Sequence, residues 1–338
     1  MKNKYVDEYP SISIVIPTLN SGGVLESCLK SILEQTYPRD KIETIIADGG
    51  STDNTLLIAK DFNVEILPNP LKTGEAGKAA GIKIARNEII ALIDSDNVLD
   101  QKDWLKNMVE PLKDEEIAGC EPLYYTYNKQ DGYITRYCAL LGMNDPLCLF
   151  LGNYDRYCYI TGKWTEIEVE QDEKDGYIKV RLNEIQLPTI GANGFLVQRA
   201  LIEKCAIGDY LFDIDVVYEL VKQGYDKFAK VRIGIVHIFS ASISEFARKQ
   251  RRRIRDYAYY KKLNLRKYPW SSLSKIKLLK FILYTLLVVP LLVQVIKGYS
   301  RKKDRTWLFH VAACWITLVV YSYEVMRHNV FGARGRNS

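Results

Sequence analysis

Asp94 and Asp96 flank a single serine directly after the apolar run Glu88–Ile93, where a chain leaving a sheet can bring carboxylates together. Two hard oxygen donors so placed suit Mg2+ or Mn2+, which share their coordination sphere with substrate phosphates. A bare D-x-D also builds turns. Position favours the metal here, because two more polar clusters end apolar runs: Pro17-Thr-Leu-Asn20 and the stretch from Asp48 to Asp53. Two common phosphate motifs are excluded. Gly77-Lys78 has Lys72 where a P-loop needs its first glycine and Ala79 where it needs Ser or Thr, and no G-x-G-x-x-G follows the first apolar run. The seven cysteines form no C-x-x-C pair, which excludes a cysteine zinc site and points to a reducing, cytosolic setting.

The elements that must position these groups alternate. Ser11–Ile16, Ile42–Ala47, Asn63–Leu67 and Glu88–Ile93 have the composition of strands, and helix-spaced apolar residues fill Val24–Gln35, the stretch through Leu56 and Ile58, and Gly77–Arg86. This βαβαβαβ rhythm predicts a doubly wound, mostly parallel α/β sheet with helices on both faces. Ligands of such sheets bind beyond the carboxyl ends of the strands, where the polar clusters stand. Further on, Val231–Val236 reads as a strand, and Trp164–Glu170 with Tyr177–Leu182 as a hairpin. The stretch from Cys120 to Ile190 is expected to make the acceptor side, with Arg136, Asn144, Asp145, Tyr154, Asp155 and Arg156 as its polar and aromatic candidates.

Charge is unevenly divided along the 338 residues. Residues 241–338 hold 21 Lys+Arg against 4 Asp+Glu, whereas residues 1–240 hold 26 against 37. A basic tail on an acidic body suits an anionic membrane or nucleic acid. The uncharged run 281–296 and the apolar run 307–323 favour the membrane, and nucleic acid is not expected as a partner. Pro290 is tolerable in lipid, and aromatic residues near the ends suit an interfacial belt. The five cations between Lys297 and Arg305 leave two topologies open: both runs spanning, against the positive-inside rule, or an in-plane or re-entrant hairpin that keeps every basic segment on the cytoplasmic leaflet. Met1–Glu8 carries no apolar run, so no secretory signal is expected.

The runs Ser13-Ile-Val-Ile-Pro-Thr-Leu-Asn20, Ala47-Asp-Gly-Gly-Ser-Thr-Asp-Asn-Thr55 and Ala91-Leu-Ile-Asp-Ser-Asp-Asn97 together resemble glycosyltransferase family 2. The resemblance covers roughly residues 11–255 and implies a GT-A fold and inverting sugar transfer from a nucleotide diphosphate. It implies that Pro17, Thr18, Asn20, Asp94, Ser95 and Asp96 line the nucleotide-sugar site, that Asp48 accepts from the base imide of uracil, and that Lys78 lies near the donor phosphates. Gly49 stands where the family has a second turn aspartate. Gly191, Ala192 and Asn193 resemble the acceptor-side loop, and Phe212-Asp-Ile-Asp215 the segment of the catalytic base. Asp215 is the expected base, with Ile214 in place of the family's glutamate and Asp213 as the fallback; either aspartate could instead cap a helix. His237 occupies the pattern of a third metal ligand beside Asp94 and Asp96. Gln250-Arg-Arg-Arg253 resembles Gln-x-x-Arg-Trp with Ile254 at the tryptophan, so Gln250 and Arg253 are expected at the diphosphate, a lipid headgroup being the other ligand for these cations.

The expected organisation is a catalytic domain over 1–240 (donor half 11–100, acceptor half 115–240), a basic interfacial linker over 241–270, and a membrane-associated hairpin over 271–338. The expected activity is metal-dependent transfer from a nucleotide sugar, UDP-linked by preference, to a lipid-linked acceptor such as a polyprenyl phosphate or lipid-carried glycan, at the cytoplasmic face. A membrane-anchored scaffold without turnover and a nucleotidyltransferase are the alternatives.

Overall fold

The computed structural model describes residues 9–269 and 274–331, with side chains through His328. The Met1–Glu8 stretch and parts of the expected linker and hairpin, 270–273 and 332–338, lie outside the described residues. The chain opens with β1 (Ile12–Thr18), α1 (Leu25–Leu33), β2 (Ile42–Asp48), α2 (Thr55–Asp61), β3 (Glu65–Pro68), α3 (Gly74–Ile84) and β4 (Ile89–Leu92). There follow β5 (Asn97–Leu99), α4 (Trp104–Val109), β6 (Ile117–Thr126), α5 (Tyr133–Leu141), α6 (Pro146–Leu151), β7 (Glu170–Glu173) and β8 (Tyr177–Arg181). Then come β9 (Phe195–Gln198), α7 (Arg199–Ile202), α8 (Asp213–Lys222), β10 (Lys227–His237) and α9 (Ile243–Lys262). Helices α10 (Lys275–Leu287), α11 (Val289–Arg301) and α12 (Phe309–Phe331) complete it.

Two compact units divide the chain: Met1–Leu123 with Val169–Val236, and Tyr124–Glu168 with His237–Ser338. The first is built on a sheet of order β3-β2-β1-β4-β9-β6-β10-β8-β7, with β5 paired to β10. Strands β3, β2, β1 and β4 run parallel, while β4–β9, β9–β6, β10–β8 and β8–β7 pair antiparallel. The α/β sheet is therefore mixed, and the βαβ rhythm foresaw its parallel half. The predicted hairpin survives as β7–β8, shifted so that Trp164–Val169 lies outside it.

Strand β1 is central and almost wholly buried. Its pairing with β4 ends at Val15–Leu92, two residues before Pro17, so the proline's missing N–H falls where the β4 ladder has already stopped. Strands β2 and β4 flank β1 on opposite sides, and their carboxyl ends part around Thr18, which makes the crevice described for open α/β sheets. Helix α3 closes on this crevice through glycine. A Cβ at Gly81 would stand 2.4 Å from Val15 Cγ1, and one at Gly77 would stand 2.8 Å from Pro17 Cβ.

The second unit joins Tyr124–Glu168 to His237–Ser338. Segment 124–168 groups with the C-terminal residues because α5 and α6 are apolar around most of their surface. Tyr137, Leu141, Phe150 and Tyr154 are buried in one cluster with Phe281, Leu291, Val295 and Trp307. The run 281–296 breaks at Val288, whose φ of +61° is a conformation that β-branched residues strongly disfavour, and α10 and α11 meet at 94°. Only Arg305–His328 is by itself long and apolar enough to cross a membrane among the described residues.

Gly81→Ala tests the α3 contact. The added methyl forces β1 and α3 apart and is expected to lower the unfolding free energy by about 1–3 kcal/mol. Thermal or denaturant unfolding measures it, and an unchanged midpoint contradicts the close packing.

Candidate functional site

Lys78 sits between Gly77 and Gly81 on α3 and is 5% exposed. Its Nζ lies 3.0 and 3.2 Å from the two carboxylate oxygens of Asp213 and 3.3 Å from Asp94 Oδ1. Burial alone would depress the ammonium, but Asp213 and Asp94 outweigh it and hold Lys78 charged. Asp213 is pushed up to about 6, by burial first and with the help of Asp94, against the pull of Lys78. One cation thus ties the β4 end to the first turn of α8.

The Asp94 end is fixed by its own turn. Asp94 N–H donates to Asn97 Oδ1 at 2.9 Å, and Asn97 Nδ2 donates to Asn193 Oδ1 at 3.0 Å. Ser95 Oγ bonds Ser21 Oγ at 3.0 Å. Asp94, Ser95 and Asp96 all stay partly exposed while Asn97 is buried, so the turn presents its carboxylates and hides its amide.

The β1 and β2 ends are stitched together. Asp48 Oδ1 accepts from Thr18 Oγ1 at 3.0 Å and Ser51 Oγ at 2.6 Å, and Oδ2 from the Gly50 and Ser51 N–H groups at 2.9 and 2.8 Å. Burial works to raise this carboxyl, yet the bonds from Ser51, Thr18 and Gly50 hold it below the usual range. Its lone-pair sites are filled by these four donors, so Asp48 builds the turn; the expected base contact would need one of them released. Asn20, at φ +51°, receives the Thr52 N–H at 2.8 Å and donates its own N–H to Ser51 Oγ at 2.8 Å. Pro17 packs beside Gly77.

The Gly191–Asn193 loop reaches the same place. Gly191 has φ +114°, and a Cβ there would stand 2.8 Å from the Asp213 carbonyl oxygen, so only glycine fits. Ala192 lies between it and Asn193, which has φ +50°. The structure therefore gathers Lys78, Asp94, Asp213, Gly191 and Asn193. Asp215 is buried, and two helical residues carry it about 200° round α8 from Asp213.

His237, Gln250 and Arg253 belong to the second unit. His237 Nδ1 lies 3.1 Å from Asn144 Nδ2, and its ring packs on Tyr125 and Phe239. Gln250 is fully buried; its amide donates to the Asn144 carbonyl at 2.7 Å and accepts from Arg253 at 2.8 Å. Arg253 keeps 40% of its side chain exposed and lies 3.8 Å from Asp145. Both side chains lock α9 onto the segment before α6. Among the described residues no three His, Cys, Asp or Glu side chains gather as a metal cluster. The Asp94–Asp96 pair fits a cation that takes most of its ligands from phosphates and water.

Sequence reasoning missed Glu121 and Lys230, an ion pair with both side chains 0% exposed. Glu121 Oε2 also accepts the Gly191 N–H at 3.1 Å, so the pair braces the loop from below. The lone Glu121 inside the otherwise apolar β6 was the available signal.

The class of fold is GT-A. A mannosyltransferase from Pyrobaculum calidifontis, solved with GDP-mannose and Mn2+, superposes with a TM-score of 0.51 at 15% identity, over 95% of this chain and 91% of that one. Residues 13–164 match the model of glycosyl transferase family 2. A glycosyltransferase of Streptococcus pneumoniae is 33% identical over 127 residues, 36% of this chain and 41% of its own. A UDP-Glc:alpha-D-GlcNAc-diphosphoundecaprenol beta-1,3-glucosyltransferase of Escherichia coli is 31% identical over 109 residues, 31% of this chain and 40% of its own. The chain thus spans about two fifths of the length of these curated relatives.

Lys230→Met leaves Glu121 buried without its cation and is expected to cost about 3–5 kcal/mol of unfolding free energy. The double variant Glu121→Gln/Lys230→Met removes both charges and keeps an acceptor for Gly191, so it should recover more than half of that loss. Denaturant unfolding reads both, and a double variant no more stable than the single contradicts the pairing.

Proposed function

We propose that the chain is an inverting glycosyltransferase that moves a sugar from a nucleotide diphosphate, UDP-linked by preference, to a lipid-linked acceptor at the cytoplasmic membrane face. The observation that carries the reading is Lys78 held between Asp94 and Asp213. It sets a carboxylate with a raised pKa beside the turn that would meet donor phosphates. Relatives named for transfer to diphosphoundecaprenol and dolichyl phosphate carriers support a lipid-borne acceptor, as does the basic, apolar C-terminal segment.

In this reading Asp213, rather than Asp215, is the base. It takes the proton from the acceptor hydroxyl as that oxygen bonds the anomeric carbon and the bond to the diphosphate oxygen breaks, which inverts the centre. Gly191 lets the 191–193 loop pack against the Asp213 backbone, and Asn193, through Asn97, fixes the loop relative to Asp94. Asp94 and Asp96 would hold Mn2+ or Mg2+, which when bound supplies positive charge to the leaving diphosphate. Lys78 keeps the two aspartates from repelling one another before the cation arrives. Thr18, Asn20 and Pro17 shape the nucleotide side.

Asp213→Asn is expected to lower kcat by 10²-fold or more while leaving UDP binding within a few-fold of wild type, and Asp215→Asn to lose far less. Turnover with radiolabelled UDP-sugars and membrane lipid extract measures both. Equal activity of Asp213→Asn and wild type, or a greater loss in Asp215→Asn at unchanged stability, contradicts the assignment.

A further inference from the structure

Helix α12 has the length to cross a bilayer but is bedded along the rest of its own unit. Just before it the Arg305 carbonyl accepts from Tyr133, and in its first turn His310 stands between Tyr137 at 2.8 Å and Gln294 at 2.9 Å. Further along, Tyr321 donates to Asp145 at 2.6 Å, and Glu324 accepts from Arg255 Nε and Nη2 at 2.9 and 3.0 Å. The helix it lies against, α9, carries eight Lys and Arg and has no place in hydrocarbon. A helix tied at both ends to such neighbours does not leave them for the far side of a membrane.

The bent pair α10–α11 is tied to the same unit at both outer ends: Lys277 Nζ donates to the Leu151 carbonyl at 2.7 Å, and Arg301 to the Tyr159 carbonyl at 2.9 Å. The basic connection after α11 stays with the body too, because Asp304 accepts from Arg136 at 2.6 Å and Tyr127 at 3.0 Å.

Facing away from these partners is a broad apolar surface. Leu287, Val289, Ile296, Leu308 and Met326 are each at least 60% exposed. Lys275, Lys280, Lys297, Lys302 and Lys303 are exposed in the same segment. Apolar residues bordered by cations match a leaflet of acyl chains beneath anionic headgroups. We propose that α10–α12 form a monotopic docking surface, laid into one leaflet of an anionic bilayer with neither apolar run crossing it. The inference deepens the membrane part of the proposed function and selects the in-plane topology.

The test uses the full chain with sealed phosphatidylcholine vesicles, with and without phosphatidylglycerol. Wild type is expected to bind the anionic vesicles, and Leu287→Glu/Ile296→Glu to bind them at least tenfold more weakly with its circular dichroism unchanged. In a Cys148→Ser background, where the remaining cysteines are buried, Lys302→Cys and Arg248→Cys should both react with an impermeant maleimide added outside. Labelling of Lys302→Cys only after the vesicles are opened overturns the proposal. So does unchanged vesicle binding of the double variant, or a wild type that dimerises through this face and ignores vesicles. Failed vesicle binding with UDP stabilisation intact overturns this inference and leaves the donor-site reading standing.

Discussion

The ammonium of Lys78 is the charge around which the first unit is arranged. A buried cation is tolerated only with carboxylates around it, and Asp94 and Asp213 come from segments more than a hundred residues apart in sequence. Their meeting fixes the end of β4 against the start of α8. It also explains the glycines. Gly77 and Gly81 let α3 approach β1 closely enough for Lys78 to reach the carboxylates, and Gly191 lets the 191–193 loop pass over the Asp213 backbone. Replacing any of these glycines would move a member of the charge cluster as well as the local packing.

The second brace is the Glu121–Lys230 pair under the same loop. Glu121 also accepts the Gly191 N–H, so charge pairing and loop position are one arrangement. Two buried ion systems therefore meet at Gly191, one through Asp213 and the other through Glu121. Such over-determination suits a loop with several residues at positive φ.

The parallel half of the sheet was legible because β1, β2 and β4 are short apolar runs ending in turn residues, and the strand-end rule then located Asp94, Thr18 and Asp48. What local pattern could not carry was tertiary. Residues 124–168 look like part of the catalytic body in sequence but bury their aromatic faces with Phe281, Leu291 and Trp307. Asp213 and Asp215 are equivalent by composition, and only the partner on α3 separates them. The break at Val288 has no glycine to announce it; the proline two residues later marks the first turn of α11. Asp48 was rightly placed at the β2 end, yet its hydrogen bonds turn inward to Thr18 and Ser51.

The most direct test of the donor site is thermal stabilisation of the detergent-solubilised protein by UDP, GDP and CMP, each with and without Mn2+, in wild type and Asp96→Ala. At one hundred times Kd a ligand adds about 2.7 kcal/mol to the unfolding free energy. A Mn2+-dependent shift with UDP that disappears in Asp96→Ala is the predicted result. No shift with any nucleotide, or a UDP shift indifferent to both Mn2+ and Asp96, would contradict the account.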